Sequence, residues 1–417
     1  MRVIVTSFGS SGDFNPLLAI AAALVRRGAA VTFVANPFYE RQVESTGSRF
    51  VAAGAYFDVF AALADNPRYF EARTGAVAIW NELVAPSIRE IYPVVCDVVR
   101  SVGATAVVSH LLSYGGAWAA AKTGVGSVVV NTSAAAWLSR HEPVVFANWR
   151  APRVLQGWIT VAMRGVGRLV LDRVLRRLAS ELGAPPITDI ARHANLNLGV
   201  WPEWFRRAVP DDPPRAQLCG FVFDAVDVLR PLSAELQRFL DEDEAPVVAA
   251  FGSAASLHAA DRYRAIASAC AELGRRCVLI GASALGVAAG TRLAAVARAP
   301  YAAVFPRAAA IVHHGGFGTC AEALRAGKPS LVTPFAYDQF DTAARVDAAG
   351  TGRWLRDGRR IDLVAAALDD VLRNSRFAAA SRAAAAKIAA ATPGADRAAE
   401  LIEGIRTGSA PAAHIAR

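Results

Sequence analysis

The chain has 417 residues, of which 54% are hydrophobic, and it carries a formal net charge of +9. This length and composition suit two globular domains, each with its own core, and exclude a disordered or a repeat protein. The arginines are scattered and no nucleic-acid motif accompanies them, so the charge argues for a negatively charged or lipid ligand rather than for nucleic acid.

The cysteines and the hydropathy pattern bear on the compartment. Five cysteines, an odd number without metal-ligand spacing, favour free thiols in a reducing cytoplasm. The first residues read as a strand rather than a signal peptide. The sequence contains no uninterrupted run of about 18 apolar residues, so no membrane-spanning helix is predicted. A cytoplasmic protein is therefore expected.

The first predicted unit is a strand, a glycine-rich turn and a helix. Strand Val3–Val5 leads into the turn at 6–16, and an apolar helix is expected over Leu17–Arg27. A dinucleotide site would require an acidic residue after the second strand, Val31–Val34, to hold a ribose. Asn36 stands there instead. The first half of the chain is therefore not expected to bind the nucleotide.

Three further segments of the first half carry distinctive side chains. A helix is expected over 76–84, and it contains Trp80, which either lines a hydrophobic pocket or packs in the core. Strand Ala106–His110 ends in a histidine before the helix Ser113–Lys122. Residues 151–182 predict a long amphipathic helix with many arginines. A solvated arginine face is favoured there over contact with anionic lipid or an acyl chain.

A proline-rich run at 210–214 opens the linker to the second half. The second half alternates helices and strands as a doubly wound sheet does. Its first predicted elements are the helix Ser233–Asp243, the strand Pro246–Ala250 with Gly252 and Ser253 after it, the strand Cys277–Ile280, and a helix or loop over 283–298. The chain closes with a predicted helix rich in alanine and arginine over 377–406.

The most informative stretch is His313–Thr319, between the predicted strand Ala308–Val312 and the predicted helix Cys320–Arg325. Glycines on such a turn let the backbone approach a ligand, and the amide N–H groups of the helix N-terminus favour an anion. His314 adds a side-chain donor and Thr319 a hydroxyl, which suits a phosphate or diphosphate. The turn is neither a Walker loop nor a dinucleotide fingerprint, because it lacks Gly-Lys-Ser/Thr and has a different glycine spacing.

Polar side chains follow this turn at sequence positions from which they could contact the same ligand. Glu322 comes one helical turn after Thr319, where a carboxylate suits a ribose diol. Asp338 and Gln339 follow the next predicted strand, Ser330–Thr333, and ligands of parallel sheets gather at the carboxyl ends of strands. An Asp-Gln pair at that position suits the hydroxyl groups of a sugar.

The run from Pro300 to Phe340 closely resembles the donor-sugar signature of the family 1 glycosyltransferases. The resemblance implies an α/β fold of two doubly wound Rossmann-like domains that face a cleft, the GT-B type. It also implies a nucleotide-diphosphate sugar as co-substrate. No cofactor and no metal are expected, because His314, Thr319 and the helix N-terminus supply the countercharge and no carboxylate-rich cluster is present in the sequence. The donor-binding positions that the resemblance implies are Gly252, Ser253, Arg298, Ala299, His314, Gly316, Gly318, Thr319, Glu322, Asp338 and Gln339.

The family's first turn reads Gly-His/Asp-x-x-Pro, and Gly12–Pro16 matches it. The resemblance gives Asp13 the role of the general base that deprotonates the acceptor hydroxyl; capping of the following helix is the alternative. His110 falls where family members carry an orienting Asp, so an inverted Asp13–His110 pair is expected, with the identity of the base open. Phe14 and Trp80 are expected on the acceptor side.

The same resemblance divides the chain into functional parts. An N-terminal acceptor-binding domain is expected over 1–212 and a linker over 213–232. The nucleotide-sugar-binding domain is expected over 233–392. The remainder, 393–417, is expected to return to the first domain as a helix and to end in a loose tail.

Across both halves the pattern is similar first to the B subunit of rhamnosyltransferase, the rhamnolipid-forming branch, and then to sterol and natural-product glucosyltransferases. The segments behind this likeness are Gly9–Asp13, Asp65–Arg68, Pro202–Phe205, Ser233–Asp241 and Tyr337–Phe340. They imply inverting transfer of L-rhamnose from dTDP-rhamnose to a hydroxyl of a hydrophobic acceptor such as a 3-hydroxyacyl lipid. UDP-glucose-dependent glucosylation of a sterol or natural product is the alternative. A nucleotide-sugar 2-epimerase, a non-catalytic nucleotide-sugar-binding partner protein, and peripheral contact with the inner face of the membrane stay open.

Overall fold

The computed structural model describes residues 1–71, 74–148, 152–223, 231–253, 255–282 and 290–405. Part of the predicted linker, residues 283–289 of the segment 283–298, and the tail from Thr407 lie outside these residues. Within them the chain forms two parallel sheets, each covered by helices on both faces.

The first sheet holds seven parallel strands in the order β3-β2-β1-β4-β5-β6-β7. Strands β4 and β5 are buried along their whole length, as expected for a parallel sheet that is covered on both faces. The strand order reverses between β1 and β4, so the carboxyl ends of these two strands flank a crevice. The strands are β1 Arg2–Thr6, β2 Ala30–Ala35, β3 Arg49–Ala52, β4 Ala106–His110, β5 Gly126–Asn131, β6 Leu196–Gly199 and β7 Ala216–Leu218.

The helices of the first half cover this sheet. They are α1 Ser11–Arg26, α2 Glu40–Glu44, α3 Val59–Asp65, α4 Gly75–Ile79, α5 Ala85–Val102, α6 Tyr114–Thr123, α7 Arg153–Glu181 and α8 Ile190–His193. The helix expected over 76–84 is interrupted, because α4 passes into a π-helical turn at Trp80–Val84 before α5 begins. Pro86 in the first turn of α5 has no N–H to bond the preceding turn, which accounts for the wider turn.

The second sheet holds six parallel strands in the order β10-β9-β8-β11-β12-β13. Its strand order reverses between β8 and β11, which pair so that Ala250 lies beside His313. The turns after these two strands therefore meet at one edge of the sheet. The strands are β8 Val247–Ala250, β9 Cys277–Ile280, β10 Leu293–Val296, β11 Ala310–His313, β12 Ser330–Val332 and β13 Gly352–Trp354. The predicted fold class, two doubly wound α/β domains, is confirmed.

The helices of the second half are α9 Ala234–Leu240, α10 Ala260–Glu272, α11 Tyr301–Val304, α12 Phe317–Arg325, α13 Gln339–Ala348, α14 Ile361–Arg373, α15 Ser375–Ala390 and α16 Gly394–Glu403. The single helix expected over 377–406 is wrong: α15 and α16 are separate, with Pro393 between them.

Helix α16 packs on α1 of the first half. Arg26 pairs with Asp396 at 2.7 Å, and Arg27, directly after α1, pairs with Glu403 at 2.8 Å and with Glu400 at 3.8 Å. The end of the described chain thus ties the two halves together. All five cysteines are buried and unpaired. Across the described part of the chain, no helix combines the length and the apolar character needed to cross a bilayer.

Candidate active site

The carboxylate of Asp13 lies in the first turn of α1, just beyond the carboxyl end of β1. Helix α1 begins earlier than predicted, because Ser10 caps it in a capping box. The Oδ2 atom of Asp13 accepts hydrogen bonds from the backbone N–H and the hydroxyl of Ser10, at 3.1 and 3.3 Å. Its Oδ1 atom lies 3.6 Å from Nε2 of His110. One carboxylate oxygen therefore caps the helix while the other faces the histidine.

The backbone at residue 9 passes so close to the Asp13 carboxylate that this position requires glycine. Gly9 has φ +107°, a left-handed conformation that strains other residues, and a Cβ there would lie 2.5 Å from Oδ2 of Asp13. The hydroxyl of Tyr39 donates to the Gly9 carbonyl at 2.5 Å and supports the turn. The glycine of this turn thus makes room for the carboxylate.

The surroundings of His110 define its tautomer. His110 ends β4, the strand beside β1, and its imidazole is buried. The backbone N–H of Leu112 donates to Nδ1 at 3.3 Å, so Nδ1 is unprotonated and Nε2 carries the hydrogen. That Nε2 faces the Thr132 hydroxyl at 3.1 Å as well as Asp13. Burial lowers the pKa of His110 to about 3. The ring is neutral and turns a donor, not a lone pair, towards the carboxylate.

The pKa of Asp13 is raised to about 6, because burial outweighs its hydrogen bonds from Ser10. The side chain nevertheless keeps 34% of its surface exposed. Such a carboxylate is ionised at neutral pH and is more basic than an ordinary aspartate. These properties suit a group that removes a proton from a hydroxyl.

Asp338 approaches Asp13 from the second half of the chain. Burial raises the pKa of Asp338 to about 6; the charge of Asp13 adds to this effect, and the Ser133 hydroxyl opposes it. The two carboxyl groups are therefore close enough to influence each other's ionisation, although one belongs to each half. The structure brings together the residue expected to act as a base and one expected to hold the donor sugar.

The glycine turn of the second sheet is shaped around His314. A Cβ on Gly252 would lie 2.9 Å from Cε1 of this imidazole, and a Cβ on Gly316 would lie 2.3 Å from its Nε2. The Thr319 hydroxyl lies 3.8 Å from the position of the Gly252 Cβ. Both glycines are thus needed for the ring to lie between the β8 and β11 turns. This arrangement joins a side-chain nitrogen to the N-terminus of α12, a combination that suits an anion.

His314 is neutral in this environment. Burial lowers its pKa to about 3, and the neighbouring His313 and Arg262 contribute. Its Nδ1 is buried and has no hydrogen-bond partner among the described residues. An oxygen of a bound anion would accept a hydrogen bond from the ring and so supply the partner that this imidazole lacks.

Four other predicted donor residues have defined contacts. The Glu322 carboxylate pairs with Arg325 within α12. The Arg298 guanidinium lies 5.9 Å from the ring centroid of Phe60, which belongs to the first half. The Oε1 atom of Gln339 accepts the N–H groups of two loop residues, Phe335 at 2.9 Å and Ala336 at 3.1 Å, and so holds its own loop. Ala299 is buried in the core of the second half.

The two predicted acceptor-side aromatics differ from expectation. Phe14 is wholly buried and stacks on Tyr39 with ring centroids 3.7 Å apart. The prediction that it faces an acceptor is wrong, because its position on α1 turns it into the first core. Trp80 is half-buried, packs edge-on to Tyr114 at 6.2 Å, and its indole N–H has no partner within the described chain. Its contacts favour the core interpretation.

Three residues of the site escaped the sequence analysis. Ser10 holds Asp13, Thr132 faces His110, and Ser133 lies beside Asp338. The available signal was position: Thr132 and Ser133 directly follow β5, next to the strand that ends in His110. Among the described residues, no group of three or more His, Cys, Asp or Glu side chains could hold a metal ion.

Comparisons with known proteins add to this geometry. The model of the C-terminal domain of proteins like erythromycin biosynthesis protein CIII matches residues 284–403. The chain is 30% identical over 377 residues to the vancomycin aglycone glucosyltransferase of Amycolatopsis orientalis. This alignment covers 84% of the present chain and 85% of the relative. The chain is 28% identical over 374 residues to the O-mycaminosyltylonolide 6-deoxyallosyltransferase of Streptomyces fradiae, covering 84% of each. The fold matches that of a spinosyn rhamnosyltransferase complexed with thymidine diphosphate, with a TM-score of 0.66, 19% identity, and coverage of 96% and 100%.

Proposed function

This chain belongs to the family 1 glycosyltransferases, and we propose on that premise that it transfers a deoxy sugar from a dTDP-linked donor to a hydroxyl group of a hydrophobic natural product. As a member of this family it is an enzyme that uses a nucleotide-diphosphate sugar. This membership argues against the nucleotide-sugar 2-epimerase and the non-catalytic partner protein. The observation that carries the proposal is the placement of the Asp13 carboxylate 3.6 Å from His110 at the carboxyl edge of the first sheet, where its charge also raises the pKa of Asp338 from the second half.

The first part of the proposal concerns the donor. The β8 and β11 turns, with Gly252, His314 and Gly316, form a cradle that suits a diphosphate. Solved relatives of this fold carry thymidine diphosphate, which supports the dTDP form of the donor. Relatives named for a deoxyallose and for epi-vancosamine support a deoxy sugar. L-Rhamnose remains the sugar that we propose first, from the pattern of the whole chain.

The reaction is a direct displacement with inversion at the anomeric carbon. The acceptor oxygen forms a bond to that carbon, while the bond to the diphosphate oxygen breaks and the nucleoside diphosphate leaves with the electron pair. Asp13 accepts the proton of the acceptor hydroxyl. His110 contacts Asp13 with its Nε2 at 3.6 Å and is itself held by the Thr132 hydroxyl at 3.1 Å, so it limits where the carboxylate can lie. His314, Thr319 and the N-terminus of α12 stabilise the leaving diphosphate.

The second part of the proposal concerns the acceptor. Two curated relatives are named for a tylonolide and for the vancomycin aglycone, and both names support a hydrophobic or polycyclic natural product. A 3-hydroxyacyl lipid is the second acceptor class that we retain, since it presents a comparable secondary hydroxyl group on an apolar molecule. Both classes call for the same base and the same donor site.

The first experiment is donor binding by thermal shift against dTDP-, UDP- and GDP-sugars, with the His314→Ala variant beside the wild type. We expect dTDP-linked deoxy sugars to raise the Tm of the wild type by several degrees and to leave the variant unchanged. Binding of no donor, or equal binding by the variant, would contradict the diphosphate cradle. A preference for UDP-glucose would favour the second candidate, a glucosyltransferase, which the vancomycin aglycone relative supports.

A further inference from the structure

The solvent side of α7 carries an unusual run of apolar side chains. Eight of them are between 36% and 77% exposed, with Leu169 at 77% and Trp158 at 72%; the last of these along the chain is Val174. They recur at helical spacing and share one side of the helix. We call this surface the α7 face, and its apolar part comprises Leu155, Trp158, Ile159, Met163, Val166, Leu169, Val170 and Val174. Contiguous exposed apolar surface of this kind marks an interaction site.

The opposite side of α7 holds the helix in this orientation. Leu175 and Leu178 are buried in the core of the first half. Arg164 donates to the Leu138 carbonyl at 3.3 Å, and a Cβ on Gly157 would lie 2.8 Å from the Arg140 carbonyl. The helix is thus packed closely along its inner side. Rotation to bury the apolar part of the α7 face would break these contacts.

The last turns of the same face are basic. Arg173, Arg176 and Arg177 come seven residues after Val166, Leu169 and Val170, so they continue the same side of the helix, and all three are exposed. The helix contains only two acidic residues. Asp172 lies 4.0 Å from Arg176, and Glu181 pairs with Arg89 of α5 at 2.8 Å. The α7 face therefore combines an apolar half with a half of positive charge.

We propose that the α7 face docks the enzyme onto an anionic membrane surface. Its apolar turns enter the interfacial layer, with Trp158 as the aromatic anchor, while Arg173, Arg176 and Arg177 lie against the lipid phosphates. A second copy of the chain fits this face less well. A parallel arrangement would place the arginines of two copies against each other, and an antiparallel one would place them against the apolar half. Anionic lipid offers a partner to both halves at once.

The test uses the full chain and cosedimentation with vesicles of phosphatidylglycerol and phosphatidylcholine, or of phosphatidylcholine alone. We expect binding to the anionic vesicles to be at least about tenfold stronger and to weaken with salt. The Trp158→Ser/Leu169→Ser variant should lose roughly tenfold or more on anionic vesicles. The Arg173→Gln/Arg176→Gln/Arg177→Gln variant should bind anionic vesicles no better than neutral ones.

A matched control carries the same loss of three charges at exposed arginines elsewhere, Arg360→Gln/Arg373→Gln/Arg397→Gln. Its binding should stay within about twofold of wild type, since these arginines lie at the two ends of α14 and on α16, outside the α7 face. Equal losses in both triple variants, or no preference of the wild type for anionic vesicles, would overturn the proposal. So would a dimer in sedimentation equilibrium that the Trp158→Ser/Leu169→Ser variant dissociates, without vesicle binding. Donor binding should be the same in all variants, so failure here leaves the proposed function standing.

Discussion

At the scale of single residues, the site depends on how burial acts on Asp13 and His110. Burial disfavours the charged form of each, so it raises the pKa of the carboxyl group and lowers that of the imidazole. The pair is therefore a carboxylate of increased basicity beside a neutral donor. Of the two alternatives open from sequence, we propose Asp13 as the base, because the hydrogen bond from Leu112 occupies the other nitrogen of His110.

The Asp13→Asn variant tests this assignment. We expect kcat to fall by roughly 10²- to 10⁴-fold, since an amide cannot accept the proton. Donor binding should be unchanged, because the diphosphate cradle lies in the other half. Steady-state kinetics and thermal shift with the donor measure the two effects. Asp261→Asn, at an exposed carboxylate on α10, is the control and should be fully active; transfer by the Asp13 variant at the wild-type rate would refute the assignment.

The pH profile provides a second test. A base with a pKa of about 6 is protonated as the pH falls, so kcat/KM should drop below about pH 6. Asp338 has a similar pKa and interacts with Asp13. The acid limb of the profile, where kcat/KM falls at low pH, therefore reflects the coupled ionisation of both carboxyl groups. Asp338→Asn removes a neighbouring negative charge, which lowers the pKa of Asp13 and should move the limb to lower pH. A limb that moves upward in this variant would show that the two carboxyl groups do not interact as described.

At the scale of elements, the site depends on the turns where strands pass into helices. The turns after β8 and β11 enclose the His314 ring, and each has a glycine where a Cβ would meet that ring. The turn after β1 likewise has Gly9 where a Cβ would meet Asp13. Parallel strands place all such turns at the carboxyl edge, so each sheet presents its functional turns to the space between the halves.

Gly316→Ala probes the cradle directly. Its Cβ would lie 2.3 Å from Nε2 of His314, so the imidazole must move, and we expect the affinity for a dTDP-linked donor to fall at least about tenfold. Calorimetry measures the affinity. Gly165→Ala on α7, where a Cβ meets nothing within 4 Å, is the matched control and should bind as the wild type does. Unchanged donor affinity in Gly316→Ala would argue against a role for His314.

At the scale of the whole molecule, contacts between the two halves hold the site together. The Asp341 carboxylate accepts the N–H of Val145 at 3.1 Å and pairs with Arg345 at 2.7 Å. Arg345 also reaches Glu142 of the first half at 3.4 Å. The Tyr337 hydroxyl of the second half also donates to the Tyr69 carbonyl of the first half. These contacts hold Asp338 opposite Asp13.

Arg345→Ala should be strongly destabilising. The side chains of Arg345 and Asp341 are only 12% and 3% exposed, so removal of the arginine leaves a buried carboxylate without its partner. We expect a loss of about 3–5 kcal/mol in the free energy of unfolding, measured by urea denaturation. Arg353→Ala breaks an ion pair of 2.6 Å with Asp370 at exposed side chains and should cost about 1 kcal/mol or less. Similar losses in the two variants would contradict the importance of burial for the Arg345 pair.

The sequence by itself determined the features that depend on near neighbours. Strands β4 and β9 lie where they were predicted, because a short buried apolar run between turn residues is a local pattern. The glycine turn at His313–Thr319 could likewise be recognised from adjacent residues. Pro393 was also a local signal for the break between α15 and α16, but the prediction of a single helix did not take this proline into account.

Only the tertiary structure decided how side chains from distant segments pack and which of them are exposed. The family resemblance implied the Asp13–His110 pair, but its 3.6 Å separation and the effect of Asp13 on Asp338 came from the fold. It buried Phe14 in the first core and left Trp158 in solvent, although both are aromatic residues on helices. The physical reason is that hydrogen-bond partners, burial and pKa values depend on packing between distant segments. Local sequence patterns carry no information about that packing.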